Sequence, residues 1–459
     1  MGNASGLNPN EWSAVAELTG DRLDRLVISP TESLHKAIAQ RVFTAVPIGS
    51  GTVRPIHDGI AGAVYRAVRH GVAGSTTLAA AFLRAASSDA SVRPLSDSRR
   101  GRFLLSAING LMGDRLEELG NELSVSMAVR WRDGDVACDA GALRRAFPHS
   151  TPRLAVFLHG LAGSDEWWTQ PPGSPAVRFG TLLRRDLGVT PVWVRYNTGL
   201  RISENGRRLA ALLESLTGNW PVAITDLVLI GHSMGGLVAR SAGQAAVSAR
   251  LGWPTLLRHI VTLGTPHHGV PLEKAVHLTS WALRIVPEAA AFADILDARS
   301  VGIRDLGFGN LCDEDWSGEG PGAPLCDQRT PVPPLKGCGH TFVGATVTKD
   351  PNHPVGWLVG DLAVRTESSS GRSGKHTILL PPGSVVRLGG LHHLDLLGHP
   401  VVYAHLRAAL EGSLEVRHQA GRVDPQPTRM GSSERSRLRR SGRGAGIWTG
   451  DQLLVNCSL

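Results

Sequence analysis

The stretch "GHSMGG", residues 231–236, determines how the rest of this sequence is interpreted. It follows "DLVLI" (226–230), a short run of branched apolar residues, and precedes "LVARSAGQAAVSAR", which has a helical composition. A G-x-S-x-G string between a strand and a helix is typical of a nucleophile elbow, a sharp turn that lifts the serine hydroxyl clear of the fold. Gly231 and Gly235 stand where side chains would collide as the chain folds back. We therefore predict that Ser233 is a catalytic nucleophile.

The segments on either side of the elbow alternate between strand and helix patterns. The segment 123–139 alternates in polarity and carries Asp133-Gly134, which predicts an antiparallel hairpin. Strands are predicted at 153–159, 191–196, 226–231, 259–264, 341–347 and 384–388, and helices at 174–188 and 203–218. A hairpin followed by this alternation indicates an α/β fold with a mostly parallel sheet that is flanked by helices.

Three regions are expected along the chain. Residues 1–120 are helical in pattern and carry no chemical motif, so we predict an N-terminal helical region that packs on the main fold; the alternative is docking on a lipid surface. Residues 121–412 form the catalytic domain. Within it, the strand and helix alternation breaks at 270–338, where the apolar face of 272–286 predicts a lid over the site. The Arg-, Ser- and Gly-rich tail, 413–459, is predicted to be disordered.

Composition excludes several classes of protein. The formal charge of +8 over 459 residues is concentrated in the tail, where residues 417–459 carry eight Arg, so a nucleic-acid-binding surface on the main fold is not expected. Neither a signal peptide nor an apolar run of about 20 residues is visible, which predicts a soluble, cytoplasmic protein. The five cysteines form no C-x-x-C pair and are expected to be reduced, with a disulfide among Cys312, Cys326 and Cys338 as the alternative. The scarcity of Lys beside Arg is typical of a GC-rich bacterial genome. Oligomeric state stays open.

An ester hydrolase needs backbone donors that stabilise the oxyanion, and two are predicted here. The first is the N–H of Met234, directly after the nucleophile. The second is expected in the loop of "FLHGLAGSDEWW" (157–168), where Gly160 allows close approach of the backbone and Leu161 offers the N–H. His159 is predicted to fix this loop and to border the substrate site. Trp167 and Trp168 are predicted to line an acyl pocket, with a buried aromatic anchor under a cap as the equal alternative.

Candidates for the catalytic base and for its carboxylate partner lie in the last part of the predicted fold. "LGGLHHLDLLGHP" (388–400) offers three histidines, and His393 is preferred to the adjacent His392, which spacing does not exclude. For the acid, Asp350, Asp361 and Glu367 lie between the serine and the histidines, and Asp361 stands where the loop returns to the sheet. The order serine, acid, histidine is the one that this fold requires. No H-E-x-x-H motif is present, so no metal site is predicted.

Several of these segments resemble known proteins. "FLHGLAGS", "GHSMGGLVAR", "GTPHHG" (264–269), "GDLAVRTESS" (360–369) and "HLDLL" (393–397) are similar to α/β-hydrolases of the lipase and esterase type, over roughly 150–412. Within that superfamily they resemble bacterial triacylglycerol lipases and the GPI inositol-deacylase-like branch. The resemblance implies that Thr265, His267 and His268 border the substrate pocket without serving as the base. It also shows a departure: Leu362 stands where glycine normally follows the acid.

Together, the motifs and the resemblance predict a serine hydrolase of carboxylic esters, acting on lipid or other acyl substrates through an acyl-enzyme. This chemistry needs no cofactor. An acyltransferase, a thioesterase or a polyester depolymerase with the same triad is the first alternative. A catalytically dead hydrolase fold that serves as a binding module is the second.

Overall fold

The computed structural model describes residues 99–132, 134–171, 177–270, 300–316, 329–353, 360–372 and 377–420. The N-terminal region up to residue 98, the expected lid helix at 272–286 and the tail from 421 lie outside these ranges. The predictions of a helical N-terminal region, a lid and a disordered tail therefore remain predictions for those residues.

The described chain contains nine α-helices and eight strands. In chain order they are α1 (Arg99–Glu118), β1 (Ala128–Trp131), β2 (Gly134–Val136), α2 (Ala140–Ala146), β3 (Arg153–Leu158), α3 (Glu166–Thr169), α4 (Phe179–Leu187), β4 (Thr190–Arg195), α5 (Ile202–Gly218), β5 (Asp226–His232), α6 (Met234–Ser248), β6 (Leu257–Leu263), α7 (Val301–Asp305), β7 (Gly339–Thr346), α8 (Thr366–Ser369), β8 (Val385–Gly389) and α9 (Pro400–Ala420). Short 3₁₀ turns lie at Trp253–Thr255, Asp313–Trp316 and His393–Leu397.

The eight strands form one sheet in the order β2-β1-β4-β3-β5-β6-β7-β8. The β1–β2 hairpin and the β1–β4 pair are antiparallel, and all other neighbours are parallel. The predicted hairpin followed by a mostly parallel sheet is therefore confirmed. Because the carboxyl ends of parallel strands share one edge, the loops after β3, β5, β6 and β7 meet there.

Both faces of the central strands are buried, which explains why they read as continuous apolar runs. On β3, Leu154, Val156 and Leu158 pack into one core while Ala155 and Phe157 pack into the other. Helices α5 and α6 cover the first face, and α4 and α9 cover the second. This two-sided core fixes the position of the strand ends that carry the site.

Helix α1 packs on the domain that contains the sheet. Asn109 joins it to the chain ahead of β1: its amide nitrogen donates to the Leu123 carbonyl at 2.7 Å and its oxygen accepts from the Val125 N–H at 2.9 Å. The Asn197 amide, after β4, donates to the Gly113 carbonyl at 2.9 Å. The one described helix of the region 1–120 is thus anchored at the edge where the strands end.

The described parts of the segment 270–338 are also anchored to the domain. Asp305, at the end of α7, is fully buried and accepts from the Ile202 N–H at 2.8 Å. Cys138, Cys312 and Cys338 are free thiols, and Cys326 lies outside the described ranges. No helix in the described part of the chain is long and apolar enough to cross a bilayer.

Two boundaries differ from the sequence-based expectations. Helix α4 begins at Phe179, later than the predicted 174, and ends at Gly188, whose φ of 64° is easily adopted by glycine. Helix α9 continues to Ala420, past the predicted domain end at 412. Its apolar residues, including Leu406 and Leu410, pack on the sheet, and the helix extends beyond that contact.

The buried histidines of β6 and β7 make an acid-sensitive pair in the sheet. Burial lowers the pKa of His259 and that of His340 to about 4. A histidine whose folded-state pKa is depressed stabilises the fold above its unfolded pKa of about 6.5, and this stability is lost as pH falls towards 4. The free energy of unfolding should therefore fall between neutral and acidic pH, and we expect His259→Gln to reduce that fall by up to about 3 kcal/mol. Urea unfolding at pH 7.5 and 4.5 measures it, with exposed His405→Gln as the control. An unchanged pH dependence in His259→Gln would refute this assignment.

Candidate active site

The turn at Ser233 is a strained strand-to-helix connection. Ser233 has φ 53° and ψ −122°, a conformation that non-glycine residues rarely adopt. A methyl group at Gly231 would lie 2.4 Å from the Gly236 nitrogen, and one at Gly235 would lie 2.4 Å from the Leu158 carbonyl oxygen. Both glycines are therefore required by close backbone packing, as the sequence predicted.

Hydrogen bonds on both sides of Ser233 hold this conformation. The Ser233 N–H donates to the Leu263 carbonyl at 2.8 Å. The Ser233 carbonyl accepts from the Gly236 N–H at 3.1 Å and from the Thr265 hydroxyl at 2.9 Å. Because the surroundings satisfy the backbone of the turn, the strain is retained and the side chain is directed to the strand-end edge.

The loop after β3 lies against the serine. A methyl group at Gly160 would lie 3.0 Å from the Cβ of Ser233, so the glycine brings this backbone close to the nucleophile. The loop closes through the Gly163 N–H, which donates to the Gly160 carbonyl at 3.1 Å, and through the Ala162 N–H, which donates to the Thr198 hydroxyl at 3.1 Å. Among the described residues, the N–H groups of Leu161 and Met234 donate to no other backbone group.

His393 and Asp361 form a hydrogen-bonded pair at the same edge. The Nδ1 of His393 lies 2.8 Å from Oδ2 of Asp361, and the carboxylate must be the acceptor. The other oxygen, Oδ1, accepts from the N–H groups of Ala363 at 3.0 Å and Val364 at 2.8 Å. The Asp361 side chain is fully buried, whereas that of His393 is 15% exposed. This geometry leaves Nε2 of a neutral His393 with its lone pair available.

The His393 ring lies next to the elbow. A methyl group at Gly264 would lie 3.0 Å from Nδ1 and Cε1 of His393, and Gly264 directly follows Leu263, which holds the Ser233 N–H. The rings of His393 and His232, the residue before the serine, have centroids 4.6 Å apart. The structure therefore brings together the three residues that were predicted as nucleophile, base and acid.

Three features decide the architecture. The sheet has eight strands with the order β4-β3-β5-β6-β7-β8 after the hairpin, a strained serine turn follows β5, and a histidine–carboxylate pair lies beyond the last strands. The chain has the α/β-hydrolase fold. The profile of the PGAP1-like alpha/beta domain family matches residues 211–294, which include the elbow and α6. A search of curated proteins found no match.

Comparison with solved structures found weak similarity to esterases and thioesterases. An esterase of Pyrobaculum calidifontis is 15% identical, with a TM-score of 0.36 over 72% of this chain and 94% of its own. The RedJ thioesterase of the prodiginine pathway of Streptomyces coelicolor is 17% identical, with a TM-score of 0.31 over 58% of this chain and 92% of its own. We assign the hydrolase fold from the strand order and the serine turn, not from these similarities.

The rival candidates for base and acid make other contacts. His392 is exposed and caps the 3₁₀ turn that starts at His393. Asp350 is exposed and accepts from the Asn352 N–H at 2.8 Å. Glu367 is exposed on α8. The structure therefore places Asp361, and neither of the other acids, against His393.

The departure at Leu362 has a visible physical consequence. Leu362 has φ 79°, which is a region that glycine adopts easily and leucine rarely does. Its side chain is 67% exposed, so no packing compensates for the strain. The acid turn thus keeps the conformation expected for a glycine although the residue is a leucine.

Three of the predicted substrate-binding residues are enclosed in the fold, and their contact with substrate stays a prediction. His159 is fully buried: its Nδ1 donates to the Gly160 carbonyl at 3.0 Å and its Nε2 accepts from the Tyr196 N–H at 3.3 Å. Thr265 is likewise buried and holds the Ser233 carbonyl. His267 is 2% exposed and stacks on Phe342. These side chains support the site from inside the fold, because nearly all of their surface is covered by protein.

Three other predicted binding residues remain at accessible or bordering positions. Trp167 is half-buried, with its ring 6.4 Å from that of His232, beside the elbow. His268 keeps 9% of its surface exposed, and its N–H donates to the Ser368 hydroxyl at 3.1 Å. Gly160 borders the serine. Their contact with substrate remains a prediction.

His232 is a supporting residue that the sequence analysis did not identify. Its Nε2 lies 3.1 Å from the His393 carbonyl, which can only accept, so His232 donates to the backbone of the base. Burial and the neighbouring His393 hold the pKa of His232 well below its usual value, so the ring is neutral. Its position before the serine is the only sequence signal of this link.

The elbow makes a specific prediction about its glycines. Gly235→Ala should destabilise the fold by more than about 2 kcal/mol, because the new methyl group would overlap the Leu158 and His159 carbonyl oxygens. Gly218→Ala, at the end of α5, is the matched control, because nothing lies within 4 Å of its methyl group. Thermal and urea unfolding measure both. Equal stability of the two variants would contradict the crowding argument.

Proposed function

We propose that this chain is a serine hydrolase that cleaves carboxylic esters, with lipid or other acyl esters as substrates. The observation that carries the proposal is the Asp361–His393 pair, with its 2.8 Å hydrogen bond, beside the strained turn of Ser233. A buried carboxylate that orients an imidazole next to a serine is the arrangement that acyl transfer through a covalent intermediate requires.

The first half of the reaction forms an acyl-enzyme. Nε2 of His393 takes the proton of the Ser233 hydroxyl as its oxygen attacks the ester carbonyl. The N–H groups of Met234 and Leu161 stabilise the negative charge that develops on the carbonyl oxygen. As the tetrahedral intermediate collapses, the imidazolium of His393 gives its proton to the leaving alcohol.

The second half releases the acid. Water loses a proton to His393 and attacks the acyl-enzyme, and the proton then returns to the Ser233 oxygen as the carboxylic acid leaves. Asp361 keeps the Nδ1 proton in place and stabilises the imidazolium in both halves. Its burial and its two backbone donors hold the carboxylate in one orientation.

The same triad supports acyl transfer to another acceptor, thioester cleavage and polyester depolymerisation. These activities differ in the leaving group and the acceptor, not in the nucleophile. A panel of p-nitrophenyl esters from acetate to palmitate, a thioester series, and added alcohol acceptors separate them. The acyl length that turns over fastest identifies the substrate class.

Ser233 is tested by active-site labelling. A fluorophosphonate probe should label the wild-type chain at Ser233, and Ser233→Ala should not be labelled. Because the nucleophile is removed, ester turnover should fall on the order of a millionfold while the fold is retained. Ser164→Ala, at a buried serine in the loop after β3, is the control and should keep its labelling. Labelling of Ser233→Ala at the wild-type rate would refute Ser233 as the nucleophile. Absence of both labelling and turnover in the wild type would favour the binding-module alternative.

The base and acid are tested by paired variants. His393→Ala should abolish turnover, while the adjacent His392→Ala should have a small effect, because only the first ring contacts Asp361. Asp361→Asn should lower turnover on the order of ten-thousandfold by favouring the wrong imidazole tautomer, and Asp350→Asn should be nearly silent. Steady-state kinetics with p-nitrophenyl butyrate measures all four. Loss at His392 or Asp350, with His393 or Asp361 neutral, would reassign the triad.

A further inference from the structure

A second site is indicated by a cavity of about 560 Å³ that lies along α6, away from the Asp361–His393 pair. Its walls come from α6, from the "GTPHHG" loop after β6, and from the segments 309–315, 329–334 and 377–379. Ligand sites in proteins fall in this range of volumes and combine apolar walls with a few polar groups. The mechanism above uses none of the cavity's side chains as nucleophile, base or acid.

The cavity contains a buried guanidinium group that none of the described carboxylates pairs with. Arg240, about two helical turns beyond Ser233 on α6, is 6% exposed. Its two hydrogen bonds to described residues go to neutral acceptors: Nδ1 of His267 at 3.2 Å and the Val332 carbonyl at 2.7 Å. A guanidinium has five N–H donors, so three remain for a ligand. A buried cation without an anion is costly, which makes this group a binding feature.

A second guanidinium, that of Arg329, lies against His267 and the adjacent His268. Arg329 donates to the His267 carbonyl at 3.1 Å and to Nδ1 of His268 at 3.3 Å. Burial, and after it the neighbouring charge of Arg329, lowers the pKa of Arg240 to about 10. Arg240 therefore remains a cation at neutral pH. His267 stays neutral, because burial and Arg240 hold its pKa well below the usual value. Like charges gathered in one cavity favour an anionic occupant.

The one described carboxylate in the cavity wall does not neutralise Arg240. Asp315 is 9% exposed, and its oxygens accept three backbone N–H groups, from Leu311 at 2.8 Å, Cys312 at 3.0 Å and Thr330 at 2.7 Å. It fixes the loop that forms the wall. No ion pair joins it to Arg240 among the described residues.

Much of the remaining wall is apolar, although Thr330 and Thr377 also contribute to it. Leu311, Val332 and Ile378 line it, with a run of prolines at 331, 333 and 334. A free inorganic anion would leave this surface without a partner, whereas an anionic group on a hydrocarbon body would cover both the guanidinium donors and the apolar wall.

We propose that this cavity binds a carboxylate or phosphate group carried on an apolar body, with Arg240 and Arg329 as its anchors. The site is distinct from the Ser233 turn, although both are built on the loop in which Thr265 holds the Ser233 carbonyl. The inference does not depend on the hydrolase activity, because it rests on the buried charge and the cavity alone.

Calorimetry on the full-length chain tests the proposal with three probes that share an eight-carbon body: octyl phosphate, octanoate and 1-octanol. We expect at least one of the two anions to bind on the order of tenfold or more tightly than the neutral alcohol, since charge-assisted hydrogen bonds replace neutral ones. The anion that binds more tightly identifies the group. Binding of both anions no tighter than that of octanol would overturn the proposal.

Variants locate the binding. Arg240→Met and Arg329→Met keep an unbranched chain as far as the position of Nε, remove the charge, and should each weaken binding of the preferred anion on the order of tenfold. Arg144→Met, at an exposed position on α2, is the matched control and should bind as the wild type does. Circular dichroism checks that each variant is folded. If Arg240→Met does not fold, Arg329→Met provides the test. Wild-type affinity in every folded variant of the two anchors would overturn the assignment.

Discussion

The close contact between the Gly235 backbone and the carbonyl oxygens at the end of β3 is the constraint on which the rest of the site depends. A methyl group at Gly235 would lie 2.4 Å from the Leu158 oxygen and 2.6 Å from that of His159. Because α6 starts this close to β3, Ser233 must take its strained φ, and the loop after β3 must pass beside it. One steric condition thus places both the nucleophile and the predicted oxyanion donors.

The parallel sheet also places the loops after β6 and β8 beside the serine turn. Ser233 is held through Leu263 and Thr265, at the end of β6, and the His393 ring lies against Gly264 between them. His232 donates to the His393 carbonyl, so His393 is tied to the residue beside Ser233. The proposed base and the proposed nucleophile therefore share supports, and their relative position does not depend on one contact.

Burial determines the charge states around this edge. His159, His232 and His267 are enclosed and have lowered pKa values, so they act as neutral hydrogen-bonding groups that hold loops. His393 differs in keeping part of its ring exposed and in facing a buried carboxylate. Arg240 is the exception among the enclosed groups, since a guanidinium retains its charge at neutral pH where an imidazole becomes neutral. This difference underlies the anion site proposed beside α6.

The sequence by itself determined the sheet, the hairpin and the elbow, because apolar runs, Asp133-Gly134 and the spaced glycines around Ser233 act locally. It also selected Asp361 and His393 by chain order, but it could not separate His393 from His392, since adjacent residues share the same spacing. Only the tertiary structure decided that choice, by turning one ring towards Asp361 and the other to solvent. It also showed that His159, Thr265 and His267 lie inside, and that Arg240 and Arg329 converge across the chain. Burial and long-range contact depend on how distant segments pack, and no local pattern encodes them.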